Sequence, residues 1–256
     1  MTLAETGAPS DTAAPRHYGT IVVVGGGCYG RYYVRQLGRA REKEALNFTR
    51  LIVVDHDEEC AVARERGAGI AGVEVAVSDW SEFFAAWLAG DVRDDDAIVP
   101  SPLMPHLLCQ WLEQRARDRW PSRRVTIEMP GALEGTPWQK AGGESTRYVS
   151  FATWMCPVNC IEPHVCPHTR DVRHWSLPPA VTAHVERARS RGEKLDGPAI
   201  FHCTHRAYGV GMIDVRDVLR SERMLVAAAE RGEARLLVGT VSHCHGALGL
   251  LVVHGQ

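Results

Sequence analysis

The stretch Gly19-Thr-Ile-Val-Val-Val-Gly25-Gly-Gly-Cys-Tyr-Gly30 constrains the fold more than any other part of the chain. A short β-branched run bounded by glycine reads as a buried strand. The glycines behind it have the spacing G-x-G-x-x-G at Gly25, Gly27 and Gly30, and Arg31 to Leu46 follows with helical periodicity. Strand, glycine turn and helix in direct succession predict a parallel βαβ unit. The first glycine permits the tight turn, the second leaves the backbone bare, and the third lets the helix pack closely on its strand.

The rest of the first half alternates in the same way. Arg50–Asp55 reads as a second buried strand and Val73–Val77 as a third. A short helix from Ser81 to Ala89 follows, with Asp79 or Ser81 as its cap. Ala97–Val99 is a fourth strand, Pro105–Arg119 a helix and Val125–Met129 a fifth strand. Such alternation predicts a parallel sheet with helices on both faces.

Residues 131–146, rich in Gly, Pro and Thr, read as a linker. Beyond it, Tyr148–Met155 is strand-like, Ala180–Arg191 helical, and Ala199–Cys203, Asp214–Arg231 and Leu236–Ser242 form a βαβ pattern, with Leu248–Val253 as an edge strand. The expected fold is α/β: a Rossmann-type doubly wound parallel sheet in residues 17–130, extended by a Cys/His-rich α/β block in 147–256 and preceded by a disordered lead-in, 1–16.

The glycine turn is a candidate dinucleotide site, because a helix N-terminus and bare backbone face a pyrophosphate there. Cys28 and Tyr29 lie within the turn, and Asp55 ends the second strand 25 residues beyond Gly30. A carboxylate at that point accepts from ribose hydroxyls and repels the extra phosphate of NADP, which favours NAD. Ser101 and His106 follow the fourth strand, where the nicotinamide of such a cofactor lies. Two alternatives stand beside this reading. One is a glycine turn that binds nothing. The other is an S-adenosylmethionine site, whose G-x-G-x-G spacing would need glycine where Tyr29 stands. Residues 19–60 resemble the NAD-binding Rossmann superfamily. The run Ile21-Val-Val-Val-Gly-Gly-Gly-Cys-Tyr-Gly-Arg-Tyr is similar to the nucleotide-binding domains of potassium-uptake regulators and, less closely, to the dehydrogenase of sirohaem synthesis. The resemblance implies dinucleotide binding without specifying a reaction.

The cysteines carry the second signal. There are eight in a chain of ordinary globular composition, 45% hydrophobic and 23% charged. A net charge of −2 argues against a nucleic-acid binder held by phosphate attraction, and no apolar run is long enough for a membrane span. The first residues lack the apolar core of a secretory signal, so the expected compartment is cytoplasmic, where thiols stay reduced. Metal or redox chemistry is then the expected use of Cys156, Cys160 and Cys166, spaced C-x3-C-x5-C, with Pro after the first and the last. A [4Fe–4S] cluster, a zinc ion, and redox or structural thiols all fit the pattern.

A fourth ligand is expected from Cys203 or Cys244, in the motifs His202-Cys203-Thr204-His205 and His243-Cys244-His245. Both follow buried strands flanking one helix. A right-handed crossover makes such strands parallel, so their ends share an edge with each other and, in a continuous sheet, with the glycine turn. His202, His205, His243 and His245 are then the candidates for proton transfer, and His164 and His168 for support within the Cys loop. Cys60 and Cys109 read as packing, Asp94-Asp-Asp96 as a solvated loop, and Arg170-Asp-Val-Arg173-His174 as either a solvated turn or a grip on an anionic substrate.

The expectation is therefore an NAD-dependent oxidoreductase with a metal or [4Fe–4S] site near the nicotinamide. Its partner would be a small molecule, with an anion as one candidate, and neither nucleic acid nor membrane. A homo-oligomer is left open. The alternatives are a non-catalytic NAD or redox sensor, and a metal-handling or tetrapyrrole enzyme.

Overall fold

The computed structural model describes residues 16–65, 72–157 and 160–255. The lead-in expected before Arg16 lies outside the described residues. Two sheets of mixed strand direction form the frame. The first begins with β1 (Arg16–Val24), followed by α1 (Cys28–Glu42), β2 (Leu46–Asp55), α2 (Ala61–Arg64), β3 (Val73–Val77), α3 (Trp80–Trp87) and β4 (Ala97–Val99). These strands lie in the order β3-β2-β1-β4, all parallel, with Val23 opposite both Val53 and Val99. Asp79 caps α3 as expected, accepting from the main-chain N–H of Ser81 and Glu82.

The second half departs from a single parallel sheet. After α4 (Leu107–Arg119) come β5 (Val125–Glu128), β6 (Trp138–Gly142), β7 (Thr146–Ser150), α5 (Leu177–Ser190), β8 (Gly197–His202), β9 (Thr204–Ala207), β10 (Val210–Asp214), α6 (Val215–Ala229), β11 (Ala234–Val241) and β12 (His245–Val253). A second sheet runs β6-β7-β12-β11-β8, with β5 also paired to β12. The expected fifth strand therefore belongs to this sheet, not the first. The expected linker, 131–146, contains β6, an edge strand antiparallel to β7.

Strands β9 and β10, which had no counterpart in the sequence reading, form a hairpin that pairs antiparallel with β4 and completes the first sheet. The doubly wound parallel arrangement thus gives way to a mixed α/β fold. The physical reason lies in the connections. Only a long crossover can return a strand parallel. Here β9 meets β10 through Tyr208-Gly209, both at positive φ, and β11 meets β12 through Ser242–Cys244. Both links are too short for anything but antiparallel pairing.

Side-chain alternation divides the core into layers. Val22 and Val24 of β1, with Ile98 of β4, pack on α3, α4 and α6; Leu236, Val238, Leu251 and Val253 of the second sheet reach the same helices from the other side. Ile21 and Val23 face α1 instead, against Val34 and Leu37. Leu237, Val241 and Leu248 face α5, against Val181 and Val185. Three helices are therefore sandwiched between the sheets, with α1 and α5 outside. Among the described residues no helix is long and apolar enough to cross a membrane.

Candidate functional site

Strands β8 and β11 run parallel, with His202 opposite Val241. The Cys203 N–H donates to the Val241 carbonyl at 2.8 Å, so the two motifs begin side by side. The end of β4 arrives at the same place. A cleft of about 340 Å³ is lined by Pro100 and Ser101 after β4, by Cys203 and His205, and by Ser242 and His245. It adjoins a larger cleft of about 580 Å³ that shares Tyr33, Pro102, His205 and His245 and adds Trp154, Cys156, Cys160 and Glu162. The ends of β4, β8 and β11 thus meet, supplied by two sheets rather than one, while Cys244 and the glycine turn line neither cleft.

Glu162, a residue the sequence reading passed over, organises this edge. Its carboxylate is buried and accepts from the Ser242 hydroxyl at 2.6 Å and from the main-chain N–H of His243 at 2.9 Å and Cys244 at 3.1 Å. Nδ1 of His205 stands 3.5 Å from it. Burial alone would push the acid up, but the facing His205 ring and the donors from Ser242 and His243 outweigh it and hold the carboxyl far below the usual range. The Cys loop is thereby tied to the β11–β12 turn. Arg173 holds the same loop from behind, donating to the carbonyls of Glu162, Pro163 and Trp175. Arg173 is therefore engaged within the protein. The sequence signal for Glu162 was its place as the one acidic residue between Cys156 and His168.

The four imidazoles surround this hub. His202 and His243 meet edge to face, with ring centroids 4.9 Å apart. Nδ1 of His243 lies 2.7 Å from the Ser176 hydroxyl, and Nδ1 of His245 lies 2.9 Å from the Ser150 hydroxyl. Burial pushes the pKa of His202, His243 and His245 below the ordinary histidine value, which favours neutral rings. Nε2 of His202 is buried without a hydrogen-bond partner. His205 and His245 reach the clefts, whereas His202 and His243 line neither. His168 stacks on Trp154 at 4.5 Å, and the main-chain carbonyl of His164 accepts from the Arg173 N–H.

The sulfurs point to separate partners. Cys166 accepts from the main-chain N–H of Thr169 and His168, which lowers its thiol pKa. Cys160 accepts from the Glu162 N–H at 3.4 Å. Burial raises the Cys156 thiol, and its neighbours Cys160 and Cys166 raise it further. Burial pushes the thiols of Cys203 and Cys244 up to about 12. Cys244 accepts from the Trp175 indole N–H at 3.2 Å, and Cys203 packs so closely on Gly211 that a Cβ there would lie 2.5 Å from the sulfur. Among the described residues, no three His, Cys, Asp or Glu side chains are grouped to hold one ion. Cys60 and Cys109 are core residues, as expected.

At the glycine turn, a Cβ on Gly30 would lie 1.8 Å from the Gly25 carbonyl oxygen, whereas one on Gly27 would meet nothing within 4 Å. Gly27 caps α1 without a side-chain hydrogen bond, no acidic residue stands in the helix's first turn, and Cys28 and Tyr29 are exposed beside it. Asp55 is turned inward. Its Oδ2 accepts from the Gly26 N–H at 2.6 Å and its Oδ1 from the Asp57 N–H at 2.9 Å. The carboxylate expected to hold a ribose thus braces the turn itself. Tyr33, one turn further along α1, was not singled out in the sequence, yet it lines both clefts.

Residues 108–254 match the family model AF_1314_C, described as uncharacterized protein, C-terminal domain. The chain belongs to this family. No curated protein and no solved structure matches it. The AF_1314_C domain supplies the Cys loop, Glu162 and all four imidazoles, and it inserts β9 and β10 into the first sheet. The glycine turn, Tyr33 and Ser101 come from outside it, so the clefts are built jointly by the AF_1314_C domain and the preceding strands.

Proposed function

We propose that the chain is an NAD-dependent oxidoreductase in which a Rossmann-type βαβ unit, β1 to β4, holds the dinucleotide and the AF_1314_C domain supplies the acid–base groups. One observation carries this reading. The residues after β4, which is the neighbour of β1 and its glycine turn, line the same cleft as His205 and His245. In open α/β sheets, ligands bind outside the carboxyl ends of the strands. A cleft that joins two imidazoles to Tyr33 of α1, the helix behind the glycine turn, supports an enzyme over a non-catalytic sensor.

The residues at the turn fit such a cofactor. The backbone at Gly27 is bare, the α1 N-terminus is uncapped, and Gly30 allows the close packing that aims it. NAD, when bound, supplies a two-electron hydride acceptor. The protein's own part is to orient the substrate in the cleft, move a proton at an imidazole nitrogen and exclude water with Tyr33, Trp154 and Pro102. No step is assigned to a metal. Gly27→Asp tests the reading. Aspartate is a good N-cap, so the fold should hold or gain slightly. Its charge would meet the pyrophosphate, so calorimetry should show NAD binding by the wild type and none by the variant. NAD binding of equal strength in the two proteins would overturn the proposal.

A further inference from the structure

The larger cleft has an unusual charge inventory. Among the described residues no Lys or Arg lines it, and its one carboxylate is Glu162. Tyr33, Trp138, Trp154 and Met155 make much of the rest apolar. An anion entering this space would meet a carboxylate and no counter-charge, and like charges repel.

The hydrogen bonds of His245 define what the cleft offers instead. Ser150 gives its one hydroxyl proton to the Ala152 carbonyl oxygen, 2.6 Å away. Toward Nδ1 of His245, at 2.9 Å, the same hydroxyl can then only accept. Nδ1 must carry the hydrogen. In a neutral imidazole this leaves the Nε2 lone pair free, on a ring that lines both clefts. The burial that disfavours the charged ring agrees with this state.

We infer that the cleft binds an uncharged, hydroxyl-bearing molecule with an apolar or aromatic body, and that His245 Nε2 accepts its hydroxyl hydrogen, held in the required tautomer by Ser150. His245 is thus the catalytic base and Ser150 a positioning residue. The redox consequence rests on the function proposed above, in which the ligand is an alcohol. Its O–H bond breaks, with the proton passing to Nε2. Its carbinol C–H bond breaks, with the hydrogen and both electrons leaving to the oxidised nicotinamide dinucleotide, and a C=O bond forms.

The test uses the full chain labelled with 15N in its histidines. Two-bond 15N–1H correlations report the tautomer of each ring directly. His245 should show a protonated Nδ1 and a bare Nε2 in the wild type, and should shift toward the Nε2–H form in Ser150→Ala. Benzyl alcohol should then perturb the Nε2 resonance and saturate, while benzoate at the same concentrations should not bind. His245→Phe, which keeps a planar ring of similar size and leaves Ser150 in place, should weaken benzyl alcohol about tenfold, the worth of one hydrogen bond. An Nε2–H His245 in the wild type, benzoate binding as well as the alcohol, or alcohol affinity unchanged in His245→Phe would each overturn the inference. Failure of NAD to bind, with tautomer and alcohol binding as stated, would instead overturn the oxidoreductase reading and leave the ligand class standing.

Discussion

Glu162 shows how one residue couples burial to charge. Its carboxylate closes three donors of the β11–β12 turn, Ser242 Oγ–H and the N–H groups of His243 and Cys244. Glu162→Ala leaves those donors facing an apolar gap and should cost about 2–4 kcal/mol. The same contacts set a pH dependence. The folded-state pKa lies below the unfolded value, so the stabilisation is complete above the ordinary glutamate range and is lost as the pH falls through it and beyond. Urea unfolding at pH 7 should therefore separate the wild type from Glu162→Gln clearly. Below roughly pH 4, the ordinary glutamate range, the gap should narrow. A gap independent of pH would mean that the carboxylate's charge is not what holds the turn.

At the scale of elements, the glycine turn and α1 depend on a close approach. A methyl group at Gly30 would sit 1.8 Å from the Gly25 carbonyl oxygen, a rigid main-chain atom, so α1 must move away from β1 to admit it. Gly30→Ala should destabilise the fold by about 1–3 kcal/mol or more through overpacking. It should also weaken NAD, since the helix N-terminus is displaced. Gly27→Asp, three residues earlier, should keep stability and lose only the proposed NAD binding. Thermal melts of the two variants side by side make the contrast. Equal stability would show that the turn relaxes without involving α1. A similar logic applies to β8 and β11, whose parallel pairing places Cys203 beside Val241 and so delivers both Cys/His motifs to one edge.

Across the whole molecule, the two halves share one interior. Val22, Val24 and Ile98 of the first sheet and Leu236, Leu251 and Val253 of the second pack on the same helices. Among the described residues, the β9–β10 hairpin of the AF_1314_C domain joins a sheet only through β4. Residues 108–254 alone would expose that helical layer and an unpaired strand edge, a combination prone to aggregation. The isolated segment should lack a cooperative thermal transition, while the full chain should unfold in a single calorimetric step. A sharp melt of the isolated segment would show that the shared core is not needed.

Much of this was legible along the chain because it rests on local chemistry. Alternating β-branched runs, an Asp cap and glycines at fixed spacing determine β1 to β4 and the turn between β1 and α1 with few distant contacts. The βαβ pattern around α6 likewise placed the two Cys/His motifs on one edge. Which sheet each strand joins was decided by tertiary structure. β5 and β8 are short apolar runs that suit either sheet, and the burial of one face against α3, α4 and α6 is the same from both sides. The roles of the titratable groups were decided there too. Asp55, Arg173 and Cys166 carry the right chemistry for ribose, anion and metal. Each also has partners within the protein that become adjacent only when the loops fold back. Glu162 gained its importance by the same folding, since its partners lie about eighty residues away in sequence.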